Sequence, residues 1–172
     1  AVAGGKDYTT SQYNRIYYSH RQIGSTLKPL LYYLALTDGF TPSTQFLSQP
    51  TSFMLADGQL YTPSNYNQVY PDKEISMIHA LSVSDNIYAV KTHLFLGIDQ
   101  LQGVLQSFHI EEEATASMAL GATDFPLVDL AKIYNTFASE GLYFEPTLLT
   151  HITNNKNELL YESDLSYRQL LK

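Results

Sequence analysis

Two short stretches set reactive side chains at spacings that chemistry can use. In "HRQIGSTLKPLL" (His20–Leu31), Ser25 precedes Lys28 by three positions. On a helix such residues share a face, so hydroxyl and amine can meet. A serine becomes a nucleophile only with a base beside it. A lysine serves as that base only when burial or a neighbouring cation lowers its pKa. A serine at a helix start also gains from free backbone N–H groups and the helix dipole, which favour the negative charge of acyl transfer. The second stretch is "SVSDNIYAVK", in which Ser84-Asp85-Asn86 opens an apolar segment fifty-nine residues further on. Both admit a plainer reading, because Ser, Asp and Asn are also the preferred helix caps.

These residues need elements to hold them. Residues 1–24 read as the end of a strand followed by a loop. A helix is predicted from near Ser25 to Gly39, since Pro29 is tolerated only where helix amides have no partner. Residues 40–71 are rich in Thr, Ser, Pro, Gln and Asn, with "ADGQ" and "TPSNYN" as turn signals, and read as a long irregular excursion with room for one short hairpin. Helical periodicity returns in "DKEISMIHALSVS", with Ile75, Ile78, Leu81 and Ser82 on one face. "DNIYAVKTHLFLG" follows, then "IDQLQGVLQSFH" with Leu101, Val104, Leu105 and Phe108 inward. "FPLVDLAKIYNTFASEG" carries the strongest helical pattern, with Pro126 near its first turn and Gly141 past its end. Residues 25–145 are thus mainly helical. Residues 146–162 read as a hairpin around an Asn-rich turn, and residues 163–172 as the start of a helix.

Composition narrows the function classes. The chain has 172 residues, 44% of them hydrophobic, and a net charge of −7. That acidic balance argues against a nucleic-acid partner, which requires a basic patch. With no cysteine, disulfides, thiol catalysis and cysteine-ligated zinc are excluded. The five histidines (20, 79, 93, 109 and 151) form no close pair, so no metal site is expected. "AVAGGK" lacks the phosphate-loop pattern, and no cofactor is implied. No run reaches the length of a membrane span. The chain opens as though in mid-element, which suggests a piece of a longer protein.

The order Ser-x-x-K then Ser-Asp-Asn is the beginning of the motif set shared by serine β-lactamases and penicillin-binding proteins. The chain resembles the transpeptidase domain of class A penicillin-binding proteins along nearly its whole length. "SQYNRIYYSHRQIGSTLKPLLY" is similar to the family's run into its nucleophile. "YTPSNYN" resembles its Pro-x-Asn-Tyr element, and "ALSVSDNIYAVK" its second motif. "ALGATDFPLVDLAKIYNTFASEGLYFEP" resembles its Leu-Gly…Pro-Leu helix. The resemblance implies an α+β fold of the penicillin-binding protein and serine β-lactamase type, here mostly the helical subdomain with a strand stub and a hairpin.

It further implies roles. Ser25 would attack the bond between two D-alanines of a peptidoglycan stem peptide and carry the acyl group. Lys28 would accept its proton, and Ser84 would relay a proton to the leaving amine. Asn86 would bind Lys28 and a substrate carbonyl, with Thr26 also on the substrate side. The Ser25 N–H would supply half of the oxyanion hole, and β-lactams would leave an acyl-enzyme on Ser25. The parent would be anchored in the bacterial membrane and work on its extracytoplasmic side.

One departure stands out: no Lys-Thr/Ser-Gly occurs, and Lys91-Thr92-His93 fails at the glycine inside a predicted helix. The third motif supplies the other oxyanion donor, so the 172 residues are expected to be poor catalysts alone. A D,D-carboxypeptidase, a penicilloyl-sensing module and a purely structural helical domain with Ser25 and Ser84 as caps stay open. A class A β-lactamase is disfavoured by the lack of a Glu-x-x-Leu-Asn stretch. Arg15 and Arg21 read as loop anchors, Tyr13, Tyr17 and Tyr18 as packing at the edge of the core, and Asp85 is assigned no role.

Overall fold

A computed structural model describes residues 5–172. The strand end expected at the opening of the chain falls on residues 1–4, outside the described residues. The chain divides into two compact units, one made of residues up to His20 with Pro126–Lys172, the other of Arg21–Phe125.

The first element is a single turn, α1 (Arg15–Tyr18), capped by Asn14, whose side chain accepts the Ile16 N–H at 3.1 Å. The second unit then opens with β1 (Arg21–Gln22). A 3₁₀ turn at Gly24–Leu27 runs straight into α2 (Lys28–Thr37). The helix expected from Ser25 is therefore in two pieces, and Pro29 is the reason. Proline has no N–H to give the Ser25 carbonyl, so the Lys28 N–H takes that carbonyl in the tighter i to i+3 pattern.

The excursion of residues 40–71 has the one short hairpin expected of it and, beyond expectation, a further strand. It holds β2 (Gln45–Ser48) and a hairpin of β3 (Phe53–Met54) and β4 (Leu60–Tyr61). β5 (Lys73–Ser76) pairs antiparallel with β2, setting Phe46 opposite Ile75. That pairing shortens the next helix to α3 (Met77–Val83), capped by Ser76. A helix counted from Met77 turns a different face inward. Met77 and Ala80 are buried, whereas Ile78 and Leu81, expected inside, are 65% and 43% exposed.

α4 (Asn86–Leu96) is the core helix of this unit, followed after Gly97 by α5 (Ile98–Ser107). Ile87, Tyr88, Ala89, Val90, Thr92 and His93 are all buried, as in a helix surrounded by other elements. Tyr88 meets Tyr32 of α2 edge-on at 5.9 Å and Phe46 of β2 at 5.1 Å. Leu27, Leu30 and Leu31 on the α2 side, and Leu101, Leu105 and Phe108 on the α5 side, fill the remaining space. Each such side chain contributes about 1.5–3 kcal/mol on burial, so the start of α4 is rigidly placed. A turn at Ala116–Leu120 and β6 (Asp124–Phe125), antiparallel to β1, complete the unit.

In the other unit α6 (Leu127–Ala138) buries Ile133 and Thr136. β7 (Leu142–Phe144) follows, then β8 (His151–Thr153) and β9 (Leu159–Glu162), which pair antiparallel. Asn154 shapes their connection by accepting the Lys156 and Glu158 N–H groups at 2.8 and 3.0 Å. The last ten residues do not start a helix, contrary to expectation. Asp164 does accept the Ser166 N–H at 2.8 Å, but Tyr167–Gln169 form β10, antiparallel to β7. A helix this short is marginal by itself, whereas the free edge of β7 offers backbone partners at once. Among the described residues no helix is long and apolar enough to cross a membrane.

Candidate active site

Local backbone chemistry sets the site at the α3–α4 junction. Ser84 ends α3 with φ 57° and ψ 44°, a left-handed conformation uncommon outside glycine. Asp85 then caps α4, its carboxylate accepting the Tyr88 N–H at 2.7 Å. No helix-start N–H is bonded by the hydroxyl of Ser25 or of Ser84. The reading of these two serines as caps is thereby corrected: Asp85 does that work, which frees the Ser84 side chain.

That side chain faces Lys28. The Lys28 Nζ donates to the Ser84 carbonyl at 2.7 Å, the Asn86 Oδ1 at 2.7 Å, the Ser84 Oγ at 3.0 Å and the Asp85 carbonyl at 3.4 Å. Lys28 is only 1% exposed. Burial disfavours its charged form and brings its pKa down to about 8, against an opposing pull from the Asp85 carboxylate. A lysine so placed has a usable neutral fraction near neutrality, about a tenth at pH 7. Residues fifty-six to fifty-eight positions apart thus form one cluster.

Behind the cluster lies a layer that the sequence reading did not assign. Asp85, 2% exposed, accepts from the Ser48 Oγ at 2.6 Å and the Asn65 Nδ2 at 2.7 Å. The Asn65 Oδ1 accepts the Asn86 N–H at 2.7 Å and the Ile87 N–H at 3.3 Å. The Asn86 Nδ2 donates to the Ser64 carbonyl at 2.7 Å. This last bond orients the Asn86 amide, leaving its oxygen toward Lys28. The available signal is the "PSNYN" stretch, read as a turn and as similar to the family's Pro-x-Asn-Tyr element, with no role given to Asn65. The role of Asn65 shows only once that turn lies against α4.

Ser25 is exposed and lines a cleft of about 620 Å³ with Ser64, Asn65, Tyr66, Asn67, Val83, Ser84 and Asn86. As the second residue of its turn, it has no intrahelical acceptor for its N–H. Among the described residues its hydroxyl has no hydrogen-bond partner, so Ser25 meets Ser84 and Asn86 across the cleft but is not bonded to Lys28. The turn that carries it is fixed from below. The Gly24 N–H donates to the Gly121 carbonyl at 3.0 Å, and the Ile23 N–H to the Thr123 carbonyl at 3.3 Å. Thr26 is not brought into the cleft; its hydroxyl donates to the Ile23 carbonyl at 2.6 Å.

The remaining candidates lie elsewhere. Lys91, Thr92 and His93 sit within α4, with Thr92 and His93 buried and the Lys91 Nζ donating to the Leu47 carbonyl at 2.6 Å. The Arg15 guanidinium lies 5.8 Å from the Tyr13 ring. No group of three or more metal-ligating side chains occurs among the described residues.

The Ser84 backbone gives a first testable expectation. Ser84→Gly removes the hydroxyl from Lys28 while relieving a left-handed conformation that costs of order 1 kcal/mol. Thermal unfolding should show Ser84→Gly at least as stable as Ser84→Ala, while both lose the same part of any Ser25 reactivity.

Comparison with known proteins is consistent along the chain. Residues 1–169 match the model for the penicillin-binding protein transpeptidase domain. Penicillin-binding protein 2D of Bacillus subtilis is 42% identical over 99% of this chain and 25% of its own length. Penicillin-binding protein 1A of Haemophilus influenzae is 32% identical over 94% of this chain and 19% of its own length. The chain spans about a fifth to a quarter of these relatives. The crystal structure of the Haemophilus influenzae 1A protein superposes with a TM-score of 0.86 at 30% identity, covering 96% of this chain and 25% of that one. Penicillin-binding protein A of Mycobacterium tuberculosis, solved as an imipenem acyl-enzyme complex, shares the fold with a TM-score of 0.79 at 18% identity, over 95% of this chain and 43% of that one.

Proposed function

Because the chain belongs to the penicillin-binding protein transpeptidase domain family, we propose that Ser25 is the nucleophile of a D,D-transpeptidase of the class A type. The supporting observation is the Lys28 amine, buried and held between the Ser84 Oγ and the Asn86 Oδ1 beneath the cleft that Ser25 lines. In its neutral form Lys28 takes the proton of the Ser25 hydroxyl once that hydroxyl turns toward it. The freed oxygen attacks the carbonyl between the two terminal D-alanines of a stem peptide. The Ser25 N–H, unused by its own turn, receives the oxyanion. Ser84, bonded to Lys28, passes the proton to the leaving D-alanine nitrogen as the C–N bond breaks. An acceptor amine then attacks the ester and restores Ser25. Water in its place gives carboxypeptidase action, the second outcome open to the same ester. Such peptides lie outside the cytoplasmic membrane, which is where we place the activity.

A strained β-lactam amide fits the same cleft and leaves the same ester. The 172 residues contain no Lys-Thr-Gly, and losing one oxyanion donor costs on the order of 10²–10³ in rate. Intact-mass measurement after incubation with benzylpenicillin tests the reading. One adduct is expected, mapping to the peptide that holds Ser25. It should form at least about 100-fold faster when the third motif is supplied. An adduct on another residue, or none in either form, overturns the proposal. Rapid labelling of the 172 residues alone overturns the part concerning the third motif. A stable adduct with no exchange of D-alanine for an acceptor favours a sensing module.

A further inference from the structure

We infer that Asp85 and Asn65 act as one positioning unit, which fixes Ser84 and Asn86 around Lys28 and holds a buried negative charge beside its amine. This deepens the reading of Lys28 as the proton acceptor and rests on it.

The geometry is reciprocal. Asp85 has three hydrogen-bond donors around its carboxylate: the Tyr88 N–H, the Ser48 Oγ and the Asn65 Nδ2. Asn65 spends its oxygen on the Asn86 and Ile87 N–H groups and its nitrogen on Asp85 and the Val69 carbonyl at 3.2 Å. Both side chains are buried, at 2% and 8% exposure. Neither touches the open face of the cleft through an uncommitted polar atom, so neither is suited to bind substrate. Together they close the first turn of α4 and so hold the backbone that carries Ser84 and Asn86. Lys28 feels the Asp85 carboxylate, which opposes the effect of burial on its amine. The titratable groups around the carboxylate are Lys28 and Tyr32 of α2 and Tyr88 and Lys91 of α4. Burial keeps both phenols neutral, and the Lys91 amine is engaged with the Leu47 carbonyl.

The pair is chemically invertible. Exchanging the residues, Asp85→Asn with Asn65→Asp, keeps a carboxylate–amide contact and an acceptor for the Tyr88, Asn86 and Ile87 N–H groups. It moves the charge by one hydrogen bond and forfeits the donor to Val69 and the acceptor of the Ser48 hydroxyl. Asp85→Asn alone sets two amide donors against each other and removes the charge. Asn65→Ala leaves the two α4 amides without their acceptor.

The test follows Lys28 by NMR titration and the Asn86 and Ile87 amides by hydrogen exchange in the 172-residue chain, with penicillin acylation measured in parallel in a form supplied with the third motif. Asp85→Asn should lower the Lys28 titration by about one pH unit, because the charge that favours the ammonium is gone. Asn65→Ala should speed exchange at Asn86 and Ile87 about 100-fold relative to the rest of α4. Each single variant should acylate 10- to 100-fold more slowly per folded molecule. The double exchange should return all three readouts to within about threefold of wild type. An unshifted Lys28 titration in folded Asp85→Asn overturns the inference, as does unchanged amide protection in Asn65→Ala. Where a single variant does not fold, the double exchange decides, and its failure to fold or to recover overturns the inference equally. If the wild type takes no penicillin, the proposed function falls, while titration and exchange still judge the network.

Discussion

Lys28→Met should leave the chain folded and reduce acylation of Ser25 about 10³-fold, measured with fluorescent penicillin in a form supplied with the third motif. A positioned general base is worth about 10²–10⁴, and methionine keeps the length and apolar packing of the buried stem without any proton acceptor. The partners it abandons, Ser84 and Asn86, border the open cleft, where water can take the place of the amine. Lys28→Arg should be as inactive, since guanidinium stays charged at every working pH. In the wild type the acylation rate should rise with pH to a plateau, with its midpoint near the Lys28 pKa of about 8. A variant that retains this rise after losing Lys28 would place the base elsewhere.

The same residue makes a stability prediction of definite sign. Its folded pKa of about 8 lies below the ordinary 10.5, so between these values the unfolded chain binds more protons than the folded one. Stability must therefore rise with pH across that window, by about 3 kcal/mol at most. Below pH 8 both states are protonated and the cost of burying the ammonium is fully present. Lys28→Met lacks this term. The stability difference between the wild type and Lys28→Met should consequently shift in favour of the wild type from pH 7.5 to 10.5. The lowered pKa of Lys91 is common to both and cancels. Denaturant titrations at the two pH values measure it, and a difference that does not change would mean that Lys28 is solvated.

Gly121→Ala should damage the fold and the candidate site together. Gly121 has φ +67°, and a Cβ there would overlap the Gly24 carbonyl and lie 2.6 Å from the Gly24 N and C atoms. All three are backbone, so no side chain can swing aside. The turn that has to move is Gly24–Leu27, which carries Ser25 and leads into Lys28. Overpacking and backbone strain together should cost about 3 kcal/mol or more, lowering the melting temperature by about 10 °C for a chain of this size. Acylation per folded molecule should fall as well, because Ser25 leaves its place opposite Ser84. Gly103→Ala is the control, since a Cβ there meets nothing within 4 Å. A Gly121→Ala protein with wild-type melting and acylation would show that the two turns are not in backbone contact.

Much of the site could be read in the residues alone. Two motif starts in order mark Ser25, Lys28, Ser84 and Asn86 as candidates, because side-chain type and spacing along a helix are local properties; the roles proposed for them rest on the resemblance to a family. Pro29 marks the helix start to within a few residues for the same reason. Thr26 is the exception among the candidates: its type suits a substrate contact, but its hydroxyl is spent on the Ile23 carbonyl one turn back. The inward face of α3 was misread because pairing between β2 and β5 claims Ile75, and periodicity within one segment carries no information about a partner strand. The same holds for residues 167–169, where the edge of β7 decides for strand over helix.

Spacing determined which groups could react, and tertiary structure decided their state. Nothing in "SxxK" lowers a lysine pKa; that follows from the burial of Lys28 against α4. Nothing in "SDN" distinguishes a cap from a proton relay; Asp85 takes the cap and leaves the Ser84 side chain to Lys28. Nothing in "PSNYN" points to α4, yet Asn65 holds its first turn. Desolvation and hydrogen bonding depend on what surrounds a group in space, and in this chain those surroundings come from residues twenty to sixty positions away.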